Sequence, residues 1–297
     1  MKRILLATLL AASGSVTAAP FYMDVGIDVG GVGVVDDKEC ATCTSLKDQF
    51  TFTYESSSVI TDDVGPAGIS TGDSIKTQAG YDGSTNTFAA GTLGTNQFTG
   101  FLPAETFGAN SDNGYGGSNW IITFGIKDWA GTVTVDGSGA VLPNYGPGLL
   151  EFYLTTDGTT FNNFMDVKLS TGFVTGTGSV ILGEVDFTSV DAGFNNLFNV
   201  ADPGQCGGLN GFYDIWFTCG PTGLDSLSID FTGAFDSDVT VAQFTQLTAD
   251  TFGITTDHDG SGRFDVPEPG TLSLLGLSLL GLGGFRMRKA AEKKIAA

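Results

Sequence analysis

Gln49-Phe50-Thr51-Phe52-Thr53-Tyr54-Glu55 decides the fold class. Phe50, Phe52 and Tyr54 alternate with Thr51 and Thr53 at a period of two. A strand presents alternate side chains to opposite faces, so this run has one aromatic face and one hydroxyl face. Aromatic and β-branched residues suit that pleated surface. Met23-Asp-Val-Gly-Ile-Asp-Val29 repeats the pattern, with Met23, Val25, Ile27 and Val29 opposite Asp24 and Asp28.

Outward from this run, strand candidates recur at Asn96–Leu102, Trp120–Ile126, Thr132–Val135, Leu149–Thr155, Met165–Ser170, Ser179–Phe187, Phe212–Thr218, Leu224–Phe231 and Val239–Leu247. Turn dipeptides such as Asp136-Gly137, Asp157-Gly158 and Pro203-Gly204 separate them. Thr, Ser, Asn, Asp and Gly are dense throughout and are poor in helix interiors. The expectation is an all-β domain of the β-sandwich or jelly-roll kind. Two stretches read as long loops, 61–95 and 108–118, because large apolar groups are scarce in them.

The two ends of the chain differ from this body. Lys2 and Arg3, an apolar Ile4–Ala12 and the small residues Val16-Thr17-Ala18 have the form of a secretory leader, with cleavage expected after Ala18. At the other end stands Val266-Pro267-Glu268-Pro269-Gly270, then an uncharged Leu/Gly run over 271–285, then Arg286, Arg288 and Lys289. A run of about 15 residues is short for a full bilayer span, which prefers about 20. The cations behind it have the character of a cytoplasmic stop. A short span after a rigid Pro-containing motif reads as a processing tag.

In the order of motif, span and basic end, Val266 to Lys289 resembles the PEP-CTERM sorting signal of exopolysaccharide-producing Gram-negative bacteria. The resemblance implies that the membrane protease exosortase recognises Pro267, Glu268 and Pro269 and removes the tail. It also implies a setting at the cell surface or in the extracellular matrix of a biofilm or floc, with exopolysaccharide as partner. The expected organisation is a signal peptide over 1–18, a β-sandwich over 19–256, a Gly/Asp linker over 257–265, the sorting signal over 266–289 and a cytoplasmic tail over 290–297.

Charge narrows the partners further. Two of the 13 Lys and Arg lie in the leader and five in the tail, and of the 33 acids only Glu292 is lost with them. The delivered chain keeps 6 cations and 32 acids, a net charge of −26. Such a chain repels nucleic acid and anionic lipid and attracts cations, Ca²⁺ among them. Contact with the membrane is expected to be transient, through the C-terminal segment. The 23 phenylalanines argue for a packed core.

Four cysteines fall into two local pairs, Cys40/Cys43 and Cys206/Cys219. An exported chain meets an oxidising compartment, so both pairs are expected to be disulfides. Three connectivities exist, and the local one is favoured.

Several patterns carry candidate chemistry. From Asp257, oxygen-bearing side chains at Asp257, Asp259, Ser261, Asp265 and Glu268 follow the spacing of a calcium loop, with Gly262 at the sixth position. The same residues read, and are preferred here, as a plain linker. Gly68-Ile-Ser70-Thr-Gly72 has the form of a nucleophile elbow but lacks the strand before it and the helix after it, and the single histidine is His258. Glu55, Glu105, Glu151 and Glu184 are the first carboxylates to test for glycoside hydrolysis. Trp129, Tyr115 and Tyr145 sit among Gly, Asp and Asn as candidates for stacking on sugar rings, with Tyr213 a further one, while Trp120 and Trp216 read as core. No constellation selects a catalytic role, so the expectation is a non-enzymatic matrix protein. A carbohydrate-binding module and a jelly-roll glycoside hydrolase are the alternatives.

Overall fold

The computed structural model describes residues 20–24, 43–44, 46–85, 87–88, 97–99, 121–155, 159–175, 178–190, 193–194, 197–201, 206–220, 228–235 and 239–266. The secretory leader, the strand expected beyond Asp24, the loop over 108–118, and Pro267, Glu268, Pro269, Arg286, Arg288 and Lys289 fall outside the described residues. So do Cys40, Glu105, Tyr115 and Trp120. Among the described residues no helix is long and apolar enough to cross a membrane.

In chain order the strands are β1 (Phe21–Met23), β2 (Phe50–Thr61), β3 (Ser74–Asp82), β4 (Thr87–Phe88), β5 (Gln97–Thr99), β6 (Ile121–Val135), β7 (Val141–Tyr145), β8 (Gly148–Thr155), β9 (Asn162–Thr175), β10 (Gly178–Asp186) and β11 (Phe198–Val200). Helix α1 (Phe212–Cys219), β12 (Asp230–Phe235), β13 (Thr245–Gln246) and β14 (Thr251–Asp265) follow. The all-β expectation holds. The sandwich takes the form of one antiparallel sheet closed upon itself. Its path runs β14, β12, β10, β9, β7, β6, β3, β2, and β14 then pairs with β2 along twelve residue pairs, from Thr251↔Thr61 to Gly262↔Phe50. β8 continues the β7 position, between β6 and β9. Pairing of β14 with β2 joins the two ends of this path, which shields most of both strands from edge-to-edge aggregation.

The alternation of β2 sets the inside. Phe50, Phe52, Tyr54 and Ile60 are buried, and Val59 is exposed. Phe50 meets Phe152, Phe231 and Phe264 at centroid separations of 5.9, 6.3 and 5.8 Å. One end of the barrel is stoppered by the two-stranded β1–β11 sheet and by α1. Phe21, Phe198 and Phe212 pack there on Phe264 at 5.4, 5.5 and 5.2 Å.

Four expectations are corrected here. Phe212–Thr218 is not a strand but lies in α1, which buries Phe212, Ile215 and Cys219 on one stripe. Val239–Leu247 is a 3-10 turn over Val241–Gln243 followed by the two-residue β13. The loop expected over 61–95 contains β3, with β4 beside it. The linker expected over 257–265 is the second half of β14, hydrogen-bonded to β2 on one side and β12 on the other.

The Cys206–Cys219 disulfide is present and ties the start of the α1 segment to its end. Cys43 is also disulfide-bonded. Closing a loop of 13 residues in sequence separation restricts the unfolded chain by about 3 kcal/mol. Replacing both Cys206 and Cys219 by serine is therefore expected to lower the denaturant midpoint by that free energy, with the barrel's far-ultraviolet signal retained. An unchanged midpoint would show that the stopper contributes nothing to global stability.

Candidate functional site

Side chains at 257, 259, 261, 263 and 265 point outward from β14, those of His258 and Phe264 point inward, and Gly260 and Gly262 occupy inward positions. Asp257, Asp259, Ser261 and Asp265 are thus strung along one outer strand face, at about 6.7 Å per repeat. They do not ring a single ion. Asp257 lies opposite Glu55, and Asp265 lies opposite Asp230 and near Arg263, whose Nε is 3.6 Å from its Oδ2. The calcium-loop spacing is therefore corrected along with the linker. Among the described residues no group of three or more His, Cys, Asp or Glu is arranged to hold a metal ion.

Ser70 does not form a nucleophile elbow. Its loop is organised by buried Asp73, whose carboxylate accepts from the backbone N–H groups of Val64 and Ser70 at 3.1 and 2.7 Å. Ser70 Oγ donates to the Val64 carbonyl at 2.8 Å. His258 lies instead inside the barrel, 2.7 Å from Ser56 Oγ and stacked on Tyr54 at 4.9 Å.

The surface aromatics expected from the sequence are also relocated. Trp129 and Tyr145 are 3 % and 5 % exposed and stack on each other at 4.1 Å inside the barrel. The turn inward has a local cause. Asp128 has φ 48°, where the β3–β6 register shifts at a bulge, and Asp tolerates that conformation. Among the described residues Phe173 is exposed at 37 %, and Phe217, on α1, is exposed at 64 % and stacks on Tyr213 at 5.8 Å. Trp216, next to it, is packed against the core at Phe187.

Two places concentrate unusual chemistry. The first is a row of acids on the outer face. Register sets Glu151 of β8 opposite Asp166 of β9, and Asp166 opposite Asp186 of β10. Lys168 Nζ reaches Asp186 Oδ2 at 3.0 Å, and Asn163 Nδ2 donates to Asp166 Oδ1 at 2.8 Å. Burial, partly offset by the Asn163 hydrogen bond and reinforced by the Glu151 and Asp186 charges, pushes the Asp166 carboxyl up to about 6. Burial also raises Glu151, with the Asp82 charge adding to it. Asp82 goes the other way: hydrogen bonds from Ser84 hold its carboxyl well below the usual range, and Lys127 at 3.0 Å helps. A close carboxyl pair of unequal surroundings is the pattern of a glycosidase. Asp166, however, is only 2 % exposed, so a glycosidic oxygen has no direct access to it. Glu55 and Glu184 are not brought to this pair; Glu184 faces Lys168 and Asp230.

The raised Asp166 makes a signed prediction. Its folded pKa lies above the unfolded value of 3.8, so its proton favours the folded state. That stabilisation is complete below about pH 4 and is lost as pH rises through about 6. Asp166→Asn is expected to stabilise the chain by about 3 kcal/mol at pH 7 and by almost nothing at pH 4. Urea midpoints at the two pH values measure it. An equal effect at both would remove the burial argument.

The second place is a cavity of about 50 Å³ inside the barrel at the end away from the stopper, lined by His258, Tyr145, Trp129 and the hydroxyls of β2, β3 and β14.

The described chain is thus a closed, acidic β-barrel, stoppered at one end, whose last strand ends at Asp265. Residues 265–289 match the family model of the PEP-CTERM protein-sorting motif. The chain carries this sorting signal, which implies export, sorting through the membrane and processing by exosortase. The matched segment starts at the last residue of β14, and buried Val266 still belongs to the core cluster. Neither a curated protein nor a solved structure matches the chain.

Proposed function

We propose that the delivered barrel is a non-catalytic component of the extracellular matrix, held among exopolysaccharide chains at or beyond the cell surface. The observation that carries this reading is the sorting motif at 265–289, directly abutting the closing strand of an acidic barrel. Supporting it are the outward-facing acid pairs Glu55/Asp257 and Asp230/Asp265. Like charges set opposite each other gain from divalent cations, and the same cations neutralise acidic glycans. The barrel then adheres through shared counter-ions over a broad face, without a discrete metal site.

Co-sedimentation of the delivered chain with an acidic polysaccharide such as alginate tests this. Retention at millimolar Ca²⁺, reversed by chelation, is expected. No retention at any Ca²⁺ concentration would contradict it, and sugar release on incubation would favour the hydrolase instead. A second reading, direct carbohydrate recognition, has one specific support, the exposed Phe217 ring beside Tyr213. Phe217→Ala would abolish retention under that reading and leave it unchanged under the first.

A further inference from the structure

The inward face of β2 changes character along its length. Phe50, Phe52 and Tyr54 fill the stoppered half, and Ser56 and Ser58 follow. The facing strands do the same: β3 contributes Thr77 and Ala79, and β14 contributes Thr256 beside His258. Replacing rings by hydroxyl-sized groups on three strands opens the cavity of about 50 Å³. One water needs about 10–15 Å³ of such space, so the volume holds a few water molecules or a molecule of a few heavy atoms.

The lining has a definite chemistry. Among the described residues that line it there is no Asp, Glu, Lys or Arg, in a chain dense with acids. Ser58 Oγ, Thr77 Oγ1 and Tyr145 Oη form a chain with links of 2.8 and 2.6 Å. Ser56 Oγ and His258 Nε2 form another link. Burial pushes the Tyr145 phenol up to about 12, so it stays neutral and keeps its proton for donation. Thr256 Oγ1 is buried and has no hydrogen-bond partner among the described residues. Leaving a buried hydroxyl unpaired is costly, and an occupant able to hydrogen-bond removes the cost. Trp129, Ile75, Ile126 and Ile181 supply an apolar wall. Val239 and Phe244 also line it, as do Tyr54, Val141, Pro143 and Ile254. The Val239–Phe244 segment is tied to the β6–β7 turn by Val141 N–H to Val239 O and Val241 N–H to Gly139 O, both 2.9 Å.

We propose that the polar end of the barrel interior is a binding site for a small uncharged alcohol, its hydroxyl on Thr256 and the Ser/Thr/His links and its short apolar body against the Trp129 wall. The shape is that of a barrel mouth, apolar with a few convergent polar groups. The site is independent of the matrix reading, since it lies inside the barrel and the proposed adhesion uses the outside.

Saturation-transfer nuclear magnetic resonance with 1-propanol on the intact delivered chain tests it. A saturable signal is expected. Thr256→Val keeps the shape and removes the hydroxyl, and is expected to weaken binding about fivefold. Ala79→Leu fills the space and is expected to abolish the signal; a circular dichroism spectrum confirms that it folds. Absence of a saturable signal in the wild-type chain would show that the cavity holds water only and would overturn the proposal. So would a signal unchanged in both variants, which would place propanol elsewhere.

Discussion

Gly262→Val is expected to cost about 3 kcal/mol and lower the melting temperature by roughly 10 °C. A side chain at 262 would begin 2.7 Å from Phe50 Cζ and 2.8 Å from Phe231 Cε2, inside the ring contact that fills the stoppered half. Gly260 has the same role one repeat earlier, where an added Cβ would overlap Phe52. These glycines are not spacers in a linker. They are the floor on which three phenylalanine rings lie, and the rings cannot retreat because Phe152 and Phe264 pack behind Phe50. Were 257–265 a flexible connection, valine at 262 would be neutral and deleting the nine residues would be tolerated. In the barrel, the deletion removes the β12–β14 pairing and about half of β2–β14 closure, and the chain should not fold. Thermal unfolding of the Gly262→Val chain separates the two accounts.

Trp129→Ala is expected to cost about 3–5 kcal/mol, through lost ring burial and the cavity left behind. The indole stacks on Tyr145 and donates from Nε1 to the Gly146 carbonyl at 2.8 Å. It lies in a slot between β8 and β9 that exists because positions 148 and 172 are glycine; a Cβ at either would overlap the ring. Loss of glycan binding in this variant would therefore report unfolding rather than a missing sugar platform. Gly172→Val should reproduce the stability loss by displacing the ring while residue 129 stays tryptophan, and a cooperative melt shifted in both variants is the expected result. A Trp129→Ala chain as stable as wild type would mean that the ring is not a structural element of the barrel.

What could be read from the residues follows from where the barrel is full. β2 was legible because its inward positions carry large rings, so period two stands out. β3 was not, because its inward Ile75, Thr77 and Ala79 include small groups that border the cavity. β14 was hidden for the opposite reason: Gly260 and Gly262 supply no side chain where the partners' rings supply two. Its outward Asp257, Asp259 and Ser261 then imitated a calcium loop. α1 imitated a strand because Phe212-Tyr-Asp-Ile-Trp-Phe-Thr218 is rich in residues that favour strands. The disulfide and the burial of Phe212, Ile215 and Cys219 on one stripe hold it as a helix. Trp129 turned inward through the bulge at Asp128, which no local spacing announces. The acid row was invisible because Glu151, Asp166 and Asp186 meet only through register. The sorting signal needed no fold to be recognised, since it is read as a linear segment.

The intact mass of the protein recovered outside the cell tests both the address and the barrel. A chain that begins after Ala18 and ends beyond Val266, with β14 whole and the basic terminus gone, is the result expected. A mass that includes Arg286–Lys289, or one that ends before Asp265, would contradict the account: the first would make the tail a permanent anchor, and the second would leave the barrel without its closing strand.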